Sequence, residues 1–276
     1  MKTKCKFSIR KIFKSYFSEK KTGRRLSVPV MALFRAMLYK LKTGVQWYLL
    51  PTEKFFKKRK ISYQTVFYHY NCWCKSGLFQ KTHEALLVSN KKRIKTFVLN
   101  LDGTHTPAKK GGKAVGYQGR KKCRTTNLLI ITNENGCPLV CSPALSGNRH
   151  DLFEIEKNAP KMLSSLRRIL GDFNNTILNA DAGFDTEKLR KICQDFGIVP
   201  NIEQNKRNNK SQEMRQIVDN KAYKKRFSVE QANAWLDSYR TLSVRYCTSD
   251  VNWVQTHYLA FSLIFLKKIF RFKECF

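Results

Sequence analysis

Between Phe97 and Ile202 the chain alternates short apolar runs with helical patterns, and this alternation constrains the fold more than any other feature. "FVLNLD" (97–102), "NLLIIT" (127–132), "CPLVC" (137–141), "TILNAD" (176–181) and "IVPNI" (198–202) have the length and bulky content of strands. "DLFEIEKNAPKMLSSLRRIL" and "TEKLRKICQDFG" carry helical periodicity, and Pro160 predicts an interruption of the first. Asn135-Gly136 predicts a turn that folds two of the strands into a hairpin. Strands interleaved with helices predict an α/β fold with a mixed sheet and flanking helices.

Two of these strands deliver an acid to their tips, Asp102 and Asp181. A carboxylate beside a buried strand costs desolvation unless a cation, a helix N-terminus or a metal ion meets it. Taken singly, a strand-end Asp is as often a turn cap. Taken with Glu230, on a helix expected from Phe227 with Ser228 near its cap, the three acids can converge, because neighbouring strands bring their ends together. Such an all-oxygen set suits Mg²⁺ or Mn²⁺ better than zinc. Two such ions can clamp the oxygens of an in-line phosphoryl displacement. Asp185 is expected to cap the helix that follows Asp181.

Charge points the same way. Lys and Arg number 53 against 20 Asp and Glu, a formal net charge of +33. That excess exceeds what solubility needs and implies a polyanionic partner, nucleic acid above all. The loop "GTHTPAKKGGKAVGYQGRKKCRTT" concentrates it; Lys109, Lys110, Lys113, Arg120, Lys121 and Lys122 are candidates for holding DNA phosphates. The loop lacks the GxxxxGK[ST] spacing, which excludes a P-loop.

Ahead of the strands, residues 1–23 form a basic lead-in, 24–93 read as a helical DNA-binding domain, and 94–276 as the catalytic domain. The first helix is expected after a Ser27 cap, with Val30, Leu33, Phe34, Met37, Leu38 and Leu41 on one face and Gly44 at its end. Ser62 predicts the cap of a second helix, Tyr63–Lys75, and a third covers Phe79 to Val88. The three resemble a helix-turn-helix unit, in which Gln64, His69, Asn71 and Lys75 could reach bases.

Nine cysteines at irregular spacing, with no secretory leader, read as reduced thiols in a cytoplasm. His69, Cys72 and Cys74 lack the second ligand pair a zinc site needs. "YLAFSLIFL" (258–266) is far shorter than the roughly 20 residues of a spanning helix and predicts a buried C-terminal helix.

Several blocks resemble those of bacterial insertion-sequence transposases with a DDE core of ribonuclease H-like fold. Trp47 and Leu50-Pro51 before an aromatic, basic helix are similar to the family's N-terminal part. "LNLDGTHTPAKKGGKAVG" is similar to the first-aspartate block, "SGNRHD" to the Gly-x-x-His-Asp block, and "LNADAGFD" to the second-aspartate block. "YKKRFSVE" resembles the third block through Tyr223, Arg226 and Glu230. The resemblance covers roughly residues 24 to 270 and implies Asp102, Asp181 and Glu230 as catalytic metal ligands. It also implies His150, Tyr223 and Arg226 near DNA, and a homodimer on double-stranded DNA that cuts its terminal inverted repeats and joins them to target DNA. The family's third block continues with Lys seven residues after the Glu, where this chain has Asp237. That departure leaves a second reading open, a copy that only occupies DNA.

Overall fold

A computed structural model describes residues 28–57, 60–173, 175–204 and 219–270. Three helices come first: α1 (Val30–Thr43), α2 (Tyr63–Lys75) and α3 (Leu78–Ser89). The expected Ser27 cap lies outside the described residues; α1 starts after Pro29 and ends on Gly44, whose φ of 68° is left-handed and suits glycine. Ser62 does cap α2, its Oγ accepting from the Thr65 N–H.

The sheet then forms from β1 (Val98–Pro107), β2 (Gly116–Gln118), β3 (Cys123–Asn133), β4 (Pro138–Cys141), β5 (Leu145–Ser146), β6 (Thr176–Ala180) and β7 (Ile198–Ile202). Its order is β2-β3-β1-β6-β7, with β4 and β5 also on β3. β1 runs antiparallel to β3 and parallel to β6, and β6 parallel to β7. Helices α4 (Ile155–Leu170), α5 (Glu187–Asp195), α6 (Asn220–Tyr223), α7 (Phe227–Asp237), α8 (Arg240–Ser243) and α9 (Asp250–Phe270) complete it. An antiparallel half continued by parallel strands, with helices on both faces, is the ribonuclease H-like architecture expected.

Alternation along the strands builds two cores. Leu99, Leu101, Leu129, Ile131 and Leu178 pack with Leu163 and Leu166 of α4 and Leu189 of α5. Leu128 and Ile130 pack on the other face with Leu236 of α7 and Phe261 of α9, and this core is continuous with Leu33, Phe34, Val66 and Phe79 of the first three helices. Among the described residues no helix is long and apolar enough to cross a membrane. The apolar stretch of α9 is buried between α3 and the sheet.

Two buried histidines belong to these cores. His83 holds Nε2 on the Leu139 carbonyl at 3.2 Å among Tyr258, Phe261 and Phe265. His257 holds Nδ1 on the Trp253 carbonyl at 2.9 Å. Burial pushes both imidazoles down to about 4.

Four local expectations need correction. β1 does not end at Asp102: it runs on to Pro107, because β3 pairs with Gly103 through Pro107 and gives these polar residues a ladder partner. Pro160 does not interrupt α4, which is continuous across it; the buried stripe Ile155, Ala159, Met162, Leu163 and Leu166 outweighs one lost backbone bond. Thr186, not Asp185, caps α5, since Asp185 is bound to Arg190 at 2.8 Å. Ser228 does not cap α7; it points to Asn100 and the Asn133 carbonyl.

Candidate active site

The parallel register places the first two acids. Asn100 pairs with Asn179, and two residues further along each strand stand Asp102 and Asp181. A period of two puts each acid on the same face as its asparagine, the face covered by α6 and α7. Asp102 therefore sits inside β1, and Asp181 just beyond β6. Asp181 also performs the capping job weighed from sequence: its Oδ1 accepts from the Gly183 N–H at 2.9 Å.

Asp102 is the perturbed group here. Burial pushes its carboxyl up to about 6; the Gly103 N–H opposes this, and the charges of Asp181 and Asp151 add to it, with Arg226 pulling it down. Asn233, on α7, donates to its Oδ2 at 3.2 Å. Glu230 stands one turn earlier on α7, half exposed, with Arg226 at 3.5 Å. Arg226 also lies over the Tyr223 ring, and the Tyr223 hydroxyl donates to Glu203 at 3.3 Å. Burial, together with Glu203 and Asp181, raises the Tyr223 phenol despite Arg226.

Asp151 is the acid that sequence reasoning passed over in "SGNRHD", where only His150 was singled out. It takes a hydrogen bond from Asn127 at 2.6 Å and faces His105 at 3.5 Å. Burial works to raise its carboxyl, but the bonds from His105 and Asn127 hold it below the usual carboxylate range. Gly103 makes room for it, because a Cβ at that position would overlap the Asp151 carboxylate. Gly103→Ala is therefore expected to displace Asp151 and cost about 1–3 kcal/mol by overpacking, read by urea unfolding. Unchanged stability would show that Asp151 is not held there. His150 itself is exposed at the rim.

Lys109, Lys110, Lys113, Arg120, Lys121 and Lys122 are all exposed, around the β2–β3 hairpin and the loop before it. Lys121 donates to the His105 carbonyl at 2.6 Å. Burial raises the carboxyl of Asp237, at the end of α7, and the charge of Lys121 offsets part of this. The loop is fixed from beneath by Arg245, which is fully buried. Its guanidinium donates to Thr126 Oγ1 at 2.7 Å and to the Thr248 carbonyl at 3.2 Å, and pairs with Asp250 at 2.5 Å. Its backbone carbonyl accepts from the Lys109 N–H at 2.9 Å. On α2, Gln64 and Lys75 are exposed, but Asn71 is bound to Asn252 at 2.7 Å and faces α9.

The donor set suits a hard divalent cation in part. Burial is the main cause that raises the Asp102 carboxyl, and the charge of Asp181 adds to it, a repulsion that a cation would relieve. Glu230 is paired with Arg226 at 3.5 Å, and no group of three or more His, Cys, Asp or Glu side chains among the described residues is arranged to hold a metal.

A family model described as "Transposase DDE domain" matches residues 96–265. A second, described as "Putative transposase of IS4/5 family", matches residues 8–83. No curated relative matches. Solved structures similar to the chain include the Mos1 transposase paired-end complex with left transposon end, 11% identical over 91% of this chain and 83% of that one, with a TM-score of 0.30. Another is the Mos1 mariner paired end complex with Mn, 12% identical over 97% of this chain and 87% of that one, with a TM-score of 0.31. The first family model alone spans the sheet with both aspartates, the helix with Glu230 and most of α9, and by it the chain belongs to the DDE transposases, metal-dependent enzymes of DNA transposition.

Proposed function

We propose that this transposase binds the terminal inverted repeats of its own insertion sequence, cleaves the DNA and joins the ends to target DNA, as a homodimer in the cytoplasm. The observation that supports the reading is the parallel pairing of Asn100 with Asn179, beyond which Asp102 and Asp181 each stand two residues further along neighbouring strands. Asp102, Asp181 and Glu230 would hold Mg²⁺ or Mn²⁺, which supplies Lewis-acid stabilisation of charge on the transferred phosphoryl group. Glu230 reaches the aspartates by leaving Arg226, which frees that guanidinium for a phosphate. Asn233 keeps the Asp102 carboxylate oriented. The lysines and arginines of the hairpin hold the backbone while water, and then the freed 3′-hydroxyl, attacks in line. Both steps are phosphoryl transfers, so one set of carboxylates serves both.

A second reading, a copy that occupies DNA without cutting it, is favoured by Asp237, which stands where the family's third block usually has Lys. The deciding experiment is incubation with a plasmid carrying the native ends and Mg²⁺. Cleavage followed by joining supports the first reading. Cleavage without joining makes the protein a nuclease, and binding without cleavage supports the second reading.

DNA binding should also be salt-steep. With roughly six phosphate contacts from the hairpin, affinity is expected to fall about 1,000-fold between about 50 and about 200 mM salt. A flat response in a fluorescence-anisotropy titration would remove these cations from the DNA interface.

A further inference from the structure

Three buried asparagines lie at one level of the sheet. Asn100 on β1 pairs with Asn179 on β6, and Asn179 with Asn201 on β7. They are 0%, 0% and 4% exposed. Their amides run head to tail: Asn201 Nδ2 donates to Asn179 Oδ1 at 2.8 Å, and Asn179 Nδ2 to Asn100 Oδ1 at 2.9 Å. The chain of amides then leaves the sheet for the helices. Asn100 Nδ2 donates to Ser228 Oγ at 2.9 Å, on the first turn of α7. Asn179 Nδ2 also donates to the Ala222 carbonyl of α6 at 2.8 Å. Asn201 grips Asp219, the cap of α6, through Nδ2 to its carbonyl at 3.1 Å and through Oδ1 from its N–H at 2.9 Å.

Asparagine is a poor strand former, and an aliphatic side chain would fill this space without needing partners. A buried polar network that satisfies every member specifies one arrangement of the parts it joins. Here the parts are informative. One step along the same face of each strand stand Asp102, Asp181 and Glu203. The helices held at the other end carry Tyr223, Glu230 and Asn233, and the single turn between them carries Arg226.

We infer that the Asn100–Asn179–Asn201 ladder and Ser228 are positioning residues for phosphoryl transfer, setting α6 and α7 against the strand ends so that Glu230 can meet Asp102 and Asp181. This rests on reading those three acids as the ion-holding group.

Asn179→Leu would break the ladder at its centre but risks the fold, so the test uses Ser228→Ala, which leaves the three asparagines in place and removes the α7 hydroxyl that joins Asn100 and the Asn133 carbonyl. Full-length protein is compared as parent, Ser228→Ala, Ser228→Thr and Asp102→Asn. Mn²⁺ binding is followed by electron paramagnetic resonance of the free ion, and cleavage is measured at saturating DNA. Ser228→Ala is expected to lose about 10–100-fold in Mn²⁺ affinity and cleavage rate. Its DNA affinity should be unchanged, and Ser228→Thr should restore both losses by returning the hydroxyl. Parent-like Mn²⁺ affinity and rate in Ser228→Ala overturn the inference. So does an equal loss in Ser228→Ala and Ser228→Thr that tracks a lowered melting temperature, which is packing alone. If the parent shows no Mn²⁺ binding that Asp102→Asn removes, the reading of the three acids has failed, and the inference with it.

Discussion

Asp102→Asn and Asp181→Asn are each expected to lose at least about 10,000-fold in cleavage of an end-bearing plasmid, since members of a group that acts as a unit are not replaceable one by one. The loss should come without unfolding. Asparagine keeps the oxygen that accepts from Asn233, and it removes a carboxylate that burial and two neighbouring acids raise to about 6. The melting temperature of Asp102→Asn, followed by circular dichroism without metal, should equal or exceed that of the parent. Glu230→Gln should lose cleavage to a similar degree, while Asp237→Asn should keep it. The charge felt by Asp237 is that of Lys121, and the charges felt by Asp102 are those of Asp181, Asp151 and Arg226. If Asp237→Asn kills cleavage and Glu230→Gln does not, Asp237 is the third ligand.

Acid is expected to unfold the protein through two histidines that the chemistry does not use. His83 and His257 are pushed from 6.5 to about 4 by burial. Each is harder to protonate in the fold than in the open chain, so the open chain takes up protons first as the pH falls. Their stabilisation is complete above about pH 6.5 and is lost as the pH drops toward about 4, on the order of 3 kcal/mol each. Asp102, raised rather than lowered, works in the opposite direction between its ordinary 3.8 and about 6 and offsets part of the loss. Domain stability is typically only about 5–15 kcal/mol, so the net change is decisive. Urea unfolding at pH 7 and at pH 4.5 measures it, and His83→Gln should reduce the slope. Equal stability at the two pH values would show that neither histidine is buried as described.

What was legible in the sequence follows from locality. Ser62 and the stripe Val66, Phe67, Tyr70 and Trp73 define α2 within a few residues of chain, although Phe67 stands exposed where the other three are buried. The strand cores were readable from their apolar runs. The extension of β1 past Asp102 was not, because Gly103, Thr104 and His105 are polar and become strand only through partners on β3. Pro160 gave a local signal that long-range burial overrode. The two aspartates could be singled out because each follows an apolar run. Asp151 lies in a polar stretch between β5 and α4, and its place depends on Asn127, His105 and the missing Cβ of Gly103. The asparagine ladder is invisible without register, since its members are 79 and 22 residues apart.

Arg245 gives the basic loop a property that charge alone does not. With its guanidinium buried against Thr126, Thr248 and Asp250, and its carbonyl on the Lys109 N–H, it holds the loop's shape before any partner arrives. A flexible polycation must surrender conformational entropy when it settles on a rigid double helix; a preorganised one has surrendered it on folding. On the proposed reading, in which Lys109, Lys110 and Lys113 hold DNA phosphates, such a loop selects the path of the backbone, its groove width and its bend, rather than the order of the bases.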